Sequence, residues 1–185
     1  MDDLTPRDLI DFWTAAGPKA WFKRDPAFDA VMRARFEAAH LAASRGELAD
    51  WGGSGDGALA LVLLLDQAPR NIYRGSAHAF ATDGLALAAA ARAVDAGFDL
   101  TAPAALQVFF YLPFEHAEDL ADQDRSVALC EAMKAETGDE GFLKWAIGHR
   151  DVIVRFGRFP HRNRALGRAT TAEEQAFLDE GGFAG

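Results

Sequence analysis

The sequence predicts an all-α protein without a sheet. Apolar residues recur at helical spacing, as in Phe28, Met32, Phe36, Ala39 and Ala43, which step by four, four, three and four. Alanine is abundant, and two tyrosines stand against fourteen phenylalanines, a balance that suits helix more than strand. Helix-capping residues open segments at Thr5, Asp25, Thr101 and Thr171, while no apolar–polar alternation marks a strand.

Thr5-Pro6 reads as a helix start, with Leu9, Phe12 and Trp13 sharing the face that follows. Gly17-Pro18 ends it, and Trp21-Phe22 is an apolar plug in a loop. Asp25-Pro26 repeats the start and Arg45-Gly46 closes the second helix. Its Glu37-x-x-His40 pair is half of a di-iron bundle motif; without a second pair, no metal is expected there. Gly52 to Gly57 lacks the Lys-Ser/Thr ending of a phosphate loop and is expected as a flexible turn.

Leu59 to Leu65 is a mostly apolar helix that Pro69 should stop or kink, because the ring opposes helical backbone at Ala68. Ser76 opens an alanine-rich helix to about Ala96, with Gly97 as its stop. Thr101-Ala102-Pro103 starts another, with Leu106, Phe109 and Phe110 facing a core. Pro113 then breaks the chain before the charged run Glu115 to Asp119. Two helices over 122–136 and 140–156 follow, then a structured tail over 158–168. Thr171-Ala172-Glu173-Glu174 is a capping box for a short last helix through Leu178.

The 185 residues suit one domain, 1–185, large enough for a core of its own. The single cysteine, Cys130, excludes an intrachain disulfide and reads as a buried, inert thiol. The start Met-Asp-Asp lacks a signal-peptide pattern, and the strongest apolar run is far short of a membrane span, so a cytoplasmic protein without a membrane partner is expected. The net charge of −9 argues against nucleic acid.

Against that acidity, the stretch from His149 to Arg168 holds six arginines, no lysine and one acid, Asp151, a local charge of about +5. Arginine without lysine favours forked recognition of carboxylate or phosphate. Three segments, Asp66 to Gly75, Tyr111 to Asp119 and Arg155 to Asn163, together with Phe12-Trp13, Trp21-Phe22 and Leu166-Gly167-Arg168, resemble the bacterial domain-of-unknown-function 924 (DUF924) family across essentially the whole chain. Ala68 and Ala117 depart from the pattern, where a bulky apolar residue and a serine are usual. The resemblance implies antiparallel helix hairpins stacked in a tetratricopeptide-like superhelix, and it implies no activity.

Each segment sits near a proline-marked helix end and carries more charge than a core accepts, so the three are expected to form one site. Arg70, Asn71, Tyr73, Arg74, His149, Arg155, Arg158, Arg162 and Asn163 are its candidate ligand-binding residues. His116 or His161 is the candidate acid–base group, with Glu115 or Asp119 orienting the imidazole. This reads as a binding module for a small anionic ligand or an acidic peptide, or alternatively as a hydrolase or transferase acting on an anionic small molecule. A buried ion-pair lattice that braces the helices is the structural alternative. No cofactor or metal is implied, and the sequence sets no oligomeric state.

Overall fold

Every regular element among the described residues of this computed structural model, residues 4–183, is helical. Residues 1–3, on which the expectation of no leader partly rests, and 184–185 lie outside them. The chain divides into two compact units: Met1–Arg74 with His78–Pro113, and Gly75–Ala77 with Phe114–Gly185. Seven of the described α-helices run for eight residues or more.

In the first unit, Thr5 and Asp8 form a capping box for α1 (Pro6–Ala16), and Gly17 turns the chain at φ 74° into α2 (Pro18–Trp21). The Trp21 indole N–H donates to the Trp13 carbonyl at 2.6 Å, so half of the expected loop plug is helical and buried; Phe22 stays exposed. Phe109 meets both indoles edge-on. Asp25 caps α3 (Pro26–Ser44), which buries Met32, Phe36, Ala39 and Ala43 as the spacing requires.

The glycine-rich stretch is ordered rather than loose. A 3₁₀ turn, Ala49–Gly53, precedes α4 (Gly55–Val62), whose cap is Ser54. A Cβ at Gly57 would lie 2.0 Å from the Trp51 carbonyl oxygen, so only glycine fits there.

Pro69 does not stop the next helix. The chain widens into a π turn, Leu63–Gln67, and continues through proline as α5 (Ala68–Ile72). The Ala68 N–H reaches back to the Leu63 carbonyl, and Pro69 has no N–H to give Leu65. Side chains replace the missing donors: His40 Nδ1 donates to the Leu64 carbonyl at 2.8 Å and the Thr82 hydroxyl to Leu65 at 2.5 Å. The alanine-rich helix starts later than Ser76 suggests, as α6 (Asp83–Asp95) without a side-chain cap. Thr101 is not a cap either; its hydroxyl donates to the Phe98 carbonyl, and α7 (Ala104–Gln107) begins after Pro103. Leu106, Phe109 and Phe110 are buried, and α8 (Leu112–Glu115) follows.

In the second unit, Asp119 caps α9 (Leu120–Thr137), and Gly138 turns at φ 76° toward α10 (Gly141–Phe156). That short connection makes the two helices antiparallel neighbours. Gln123, Ser126, Cys130 and Met133 form the buried stripe of α9. Burial pushes the Cys130 thiol up to about 12, which removes it as a nucleophile. Gly157 ends α10, a 3₁₀ turn (Pro160–Arg162) leads into α11 (Asn163–Leu166), and the expected box at Thr171 opens α12 (Ala172–Asp179). No described helix is long and apolar enough to cross a membrane.

Candidate functional site

The arginines of the 149–168 stretch have mostly found acids. Arg158 meets Glu174 with two nitrogens, Nε to Oε1 at 2.6 Å and Nη2 to Oε2 at 2.9 Å, and also donates to the Ala169 carbonyl. The same buried carboxylate accepts the Thr171 N–H and the Asn163 amide, and the Arg158 guanidinium holds it down at about 2. Arg155 pairs with Glu173 and Arg150 with Asp124. Arg168 forks onto Glu118, whose other donor is the Phe159 N–H at 2.8 Å. Burial pushes the Glu118 carboxyl up, but these donors outweigh it and hold the group below its ordinary range. Arg155, Arg158 and Asn163 thus brace α12 and the chain before it.

The run after Pro113 is held just as closely. The buried Gln123 amide donates to the carbonyls of Phe114, Glu115 and Ala117, and Arg162 Nη1 donates to the carbonyl of His116 at 3.0 Å. Four consecutive carbonyls therefore take side-chain donors, and Asp119 is occupied with the N–H groups of Ala121 and Asp122.

This turn sets the Glu115 carboxylate, 3% exposed, against His149, 7% exposed. Its Oε1 lies 2.9 Å from His149 Nδ1, which is also 2.9 Å from the Trp145 carbonyl. A carbonyl only accepts, so Nδ1 carries the proton and the lone pair of the neutral ring sits on Nε2. The imidazole that Glu115 orients is therefore His149, which the sequence offered only as a ligand contact.

The other two candidate histidines lie close by. His116 is 6.1 Å from His149 between ring centroids, and Phe159 is 5.6 Å from both His149 and His161. The Arg162 guanidinium stacks 4.4 Å from the Phe159 centroid. Phe183, which no sequence pattern singled out, packs on His149 at 4.2 Å and His161 at 5.4 Å. Among the described residues no group of three or more His, Cys, Asp or Glu is arranged to hold a metal ion.

The candidates of the first unit are held by partners within that unit. Arg70 pairs with Asp83 at 2.9 Å, donates to the Ala79 carbonyl and covers Phe80. Arg74 forks onto Asp29 and reaches the Asn71 side-chain oxygen. Tyr73 lies between His40 and His78, and burial with a Glu37 hydrogen bond keeps its phenol protonated.

A family model described as "Bacterial protein of unknown function (DUF924)" matches residues 9–182. A solved structure of a protein of unknown function, ATU0120 from Agrobacterium tumefaciens, is 48% identical with a TM-score of 0.90, covering 95% of this chain and 97% of that one. No curated protein matches.

Proposed function

The chain belongs to the DUF924 family of bacterial proteins of unknown function, and we propose that its second unit binds a small carboxylate or phosphate, with His149 as the acid–base group. The observation that carries this is the buried Glu115–His149 contact at 2.9 Å. A carboxylate on one ring nitrogen fixes the tautomer and orientation of an imidazole and stabilises the imidazolium that forms when the other takes a proton. An anion meets the Nε2–H of His149 in its imidazolium form, with His116 beside that ring and His161 and Arg162 against Phe159, while Glu115 and Glu118 are the acids of the same side. Arg155, Arg158, Asn163 and Asp119 act as its frame, and an acidic peptide is the larger form of the same ligand chemistry.

Hydrolase or transferase chemistry is the second reading, favoured by the same pair. An imidazole with a fixed Nδ1–H presents one lone pair, as a general base requires. The protein then works in the cytoplasm, with α9 and α10 as one hairpin of a tetratricopeptide-like stack.

Proton NMR of the histidine C2–H signals tests the proposal. Inorganic phosphate or acetate should shift the signals of His116, His149 and His161 and leave His40 and His78 in place; His149→Gln should weaken the effect several-fold. Still signals throughout, or shifts only at His40 and His78, overturn it.

A further inference from the structure

Gln123 stands in the first turn of α9 and is fully buried. Its amide nitrogen donates to the carbonyls of Phe114, Glu115 and Ala117, and the contact with Glu115 is the shortest, at 2.6 Å. Turning the amide over would aim its oxygen at three carbonyl oxygens, so one orientation alone is allowed. In that orientation the oxygen is buried and accepts no hydrogen bond from the described residues. A buried acceptor without a donor costs stability, and the chain carries that cost with the amide hydrogens committed to the turn.

What the turn gains is a fixed place for Glu115. Helix α8 is a single turn, too short to hold its own end, and Glu115 is its last residue. Ties from elsewhere therefore set where that backbone stands. The buried stripe of α9 runs on from Gln123 to Cys130, and there burial, with the Glu115 charge behind it, pushes the thiol up. The Glu115 carboxylate thus lies along the stripe that Gln123 begins. His149 stands on α10, the antiparallel neighbour of α9, with its Nδ1 held by the Trp145 carbonyl one turn back.

From this we infer that Gln123 is the positioning residue of the Glu115–His149 pair. It fastens the Glu115 backbone to α9, and the hairpin of α9 and α10 carries the imidazole, so the packing of that hairpin sets the 2.9 Å contact. Arg162 makes a similar tie at the His116 carbonyl, but its guanidinium also stacks on Phe159. The hydrogen bonds of the Gln123 side chain all end on the carbonyls around Glu115. The inference rests on the proposed site and adds a residue that reaches the imidazole only through Glu115.

The imidazole N–H signal of His149 in proton NMR of the full chain tests this. A ring N–H shared with a carboxylate lies further downfield than one held by a carbonyl alone, and Glu115→Gln marks the position without the carboxylate. Gln123→Met keeps the length and the burial and removes the donors. It should move the His149 Nδ1–H signal most of the way to the Glu115→Gln position and weaken the binding of inorganic phosphate several-fold. In a Glu115→Gln chain the same substitution should change neither, because a residue that acts through Glu115 has nothing left to position. Gln123→Asn draws the amide back by a methylene and should move the signal part of the way, which serves if thermal melts show that the Met variant does not fold. An unmoved signal in a folded variant, or losses of phosphate affinity that add in the double variant, makes Gln123 a brace of the fold alone and overturns the inference. If wild type does not bind phosphate while the Nδ1–H signal moves as stated, the positioning inference stands and the proposed anion site falls.

Discussion

Arg158 and Glu174 are joined through both edges of the guanidinium, at 2.6 and 2.9 Å, with the carboxylate buried and the arginine partly in water. One carboxylate thereby closes the cap of α12 and anchors the turn after α10. Glu174→Ala removes the acceptor for Arg158, Asn163 and Thr171. Urea unfolding should show a loss of about 2–3 kcal/mol, below the value for a fully buried pair because Arg158 keeps part of its hydration.

The same pair gives a pH signature. The Arg158 contact lowers the Glu174 carboxyl from its ordinary 4.5 to about 2 in the folded chain. A lowered acid adds stability that is fully present above about pH 4.5 and disappears as pH falls through about 2. The stability difference between wild type and Glu174→Gln should therefore be constant from neutral pH to about 4.5 and shrink below it. A difference that grows on acidification contradicts the assignment.

His40 titrates with the opposite chemistry and the same sign. Burial lowers its folded pKa below the ordinary 6.5, so the folded chain holds a neutral ring while the unfolded chain takes a proton. Its contribution is present above about pH 6.5 and is lost as pH falls toward the folded value. His40→Gln keeps a donor for the Leu64 carbonyl and should flatten this part of the stability profile. His40→Ala leaves that carbonyl without its donor and should cost roughly 1–3 kcal/mol at neutral pH.

The π turn makes a prediction about coupling. Thr82→Val takes the donor from the Leu65 carbonyl and should cost about 1–2 kcal/mol in thermal or urea unfolding. Pro69→Ala restores an N–H at the position that normally serves that carbonyl. In that background Thr82→Val should cost clearly less, a coupling that a double-mutant cycle reads directly. Additive losses would show that the hydroxyl is not replacing the proline's missing donor.

What the sequence discloses follows from how local each cause is. The caps at Thr5, Asp25 and Thr171 depend on a side chain and an N–H within three residues, and all three are where the sequence puts them. The helix through Pro69 was not legible, because the donors that rescue it come from His40 and Thr82, far away in the chain. Thr101 looked like a cap and spends its hydroxyl on Phe98. The density of arginine was plain, but its partners were not: Glu174 was visible as half of a capping box, and its second use as the acceptor for Arg158 needs the fold. Glu115 was one of two acids the sequence offered beside a histidine, and its contact with His149 depended on how Gln123 and Arg162 tie the turn. For Phe183 no sequence signal existed; only its ring contacts with His149 and His161 single it out.

The tautomer of His149 is the most direct test of the proposed site, and long-range proton–nitrogen NMR of the imidazoles reads it. The Glu115 and Trp145 contacts require Nδ1 to carry the proton, with an unprotonated Nε2 whose signal moves when phosphate is added. Glu115→Gln should weaken that preference. A His149 ring protonated on Nε2 in the neutral form, with no response to phosphate, would contradict the acid–base site.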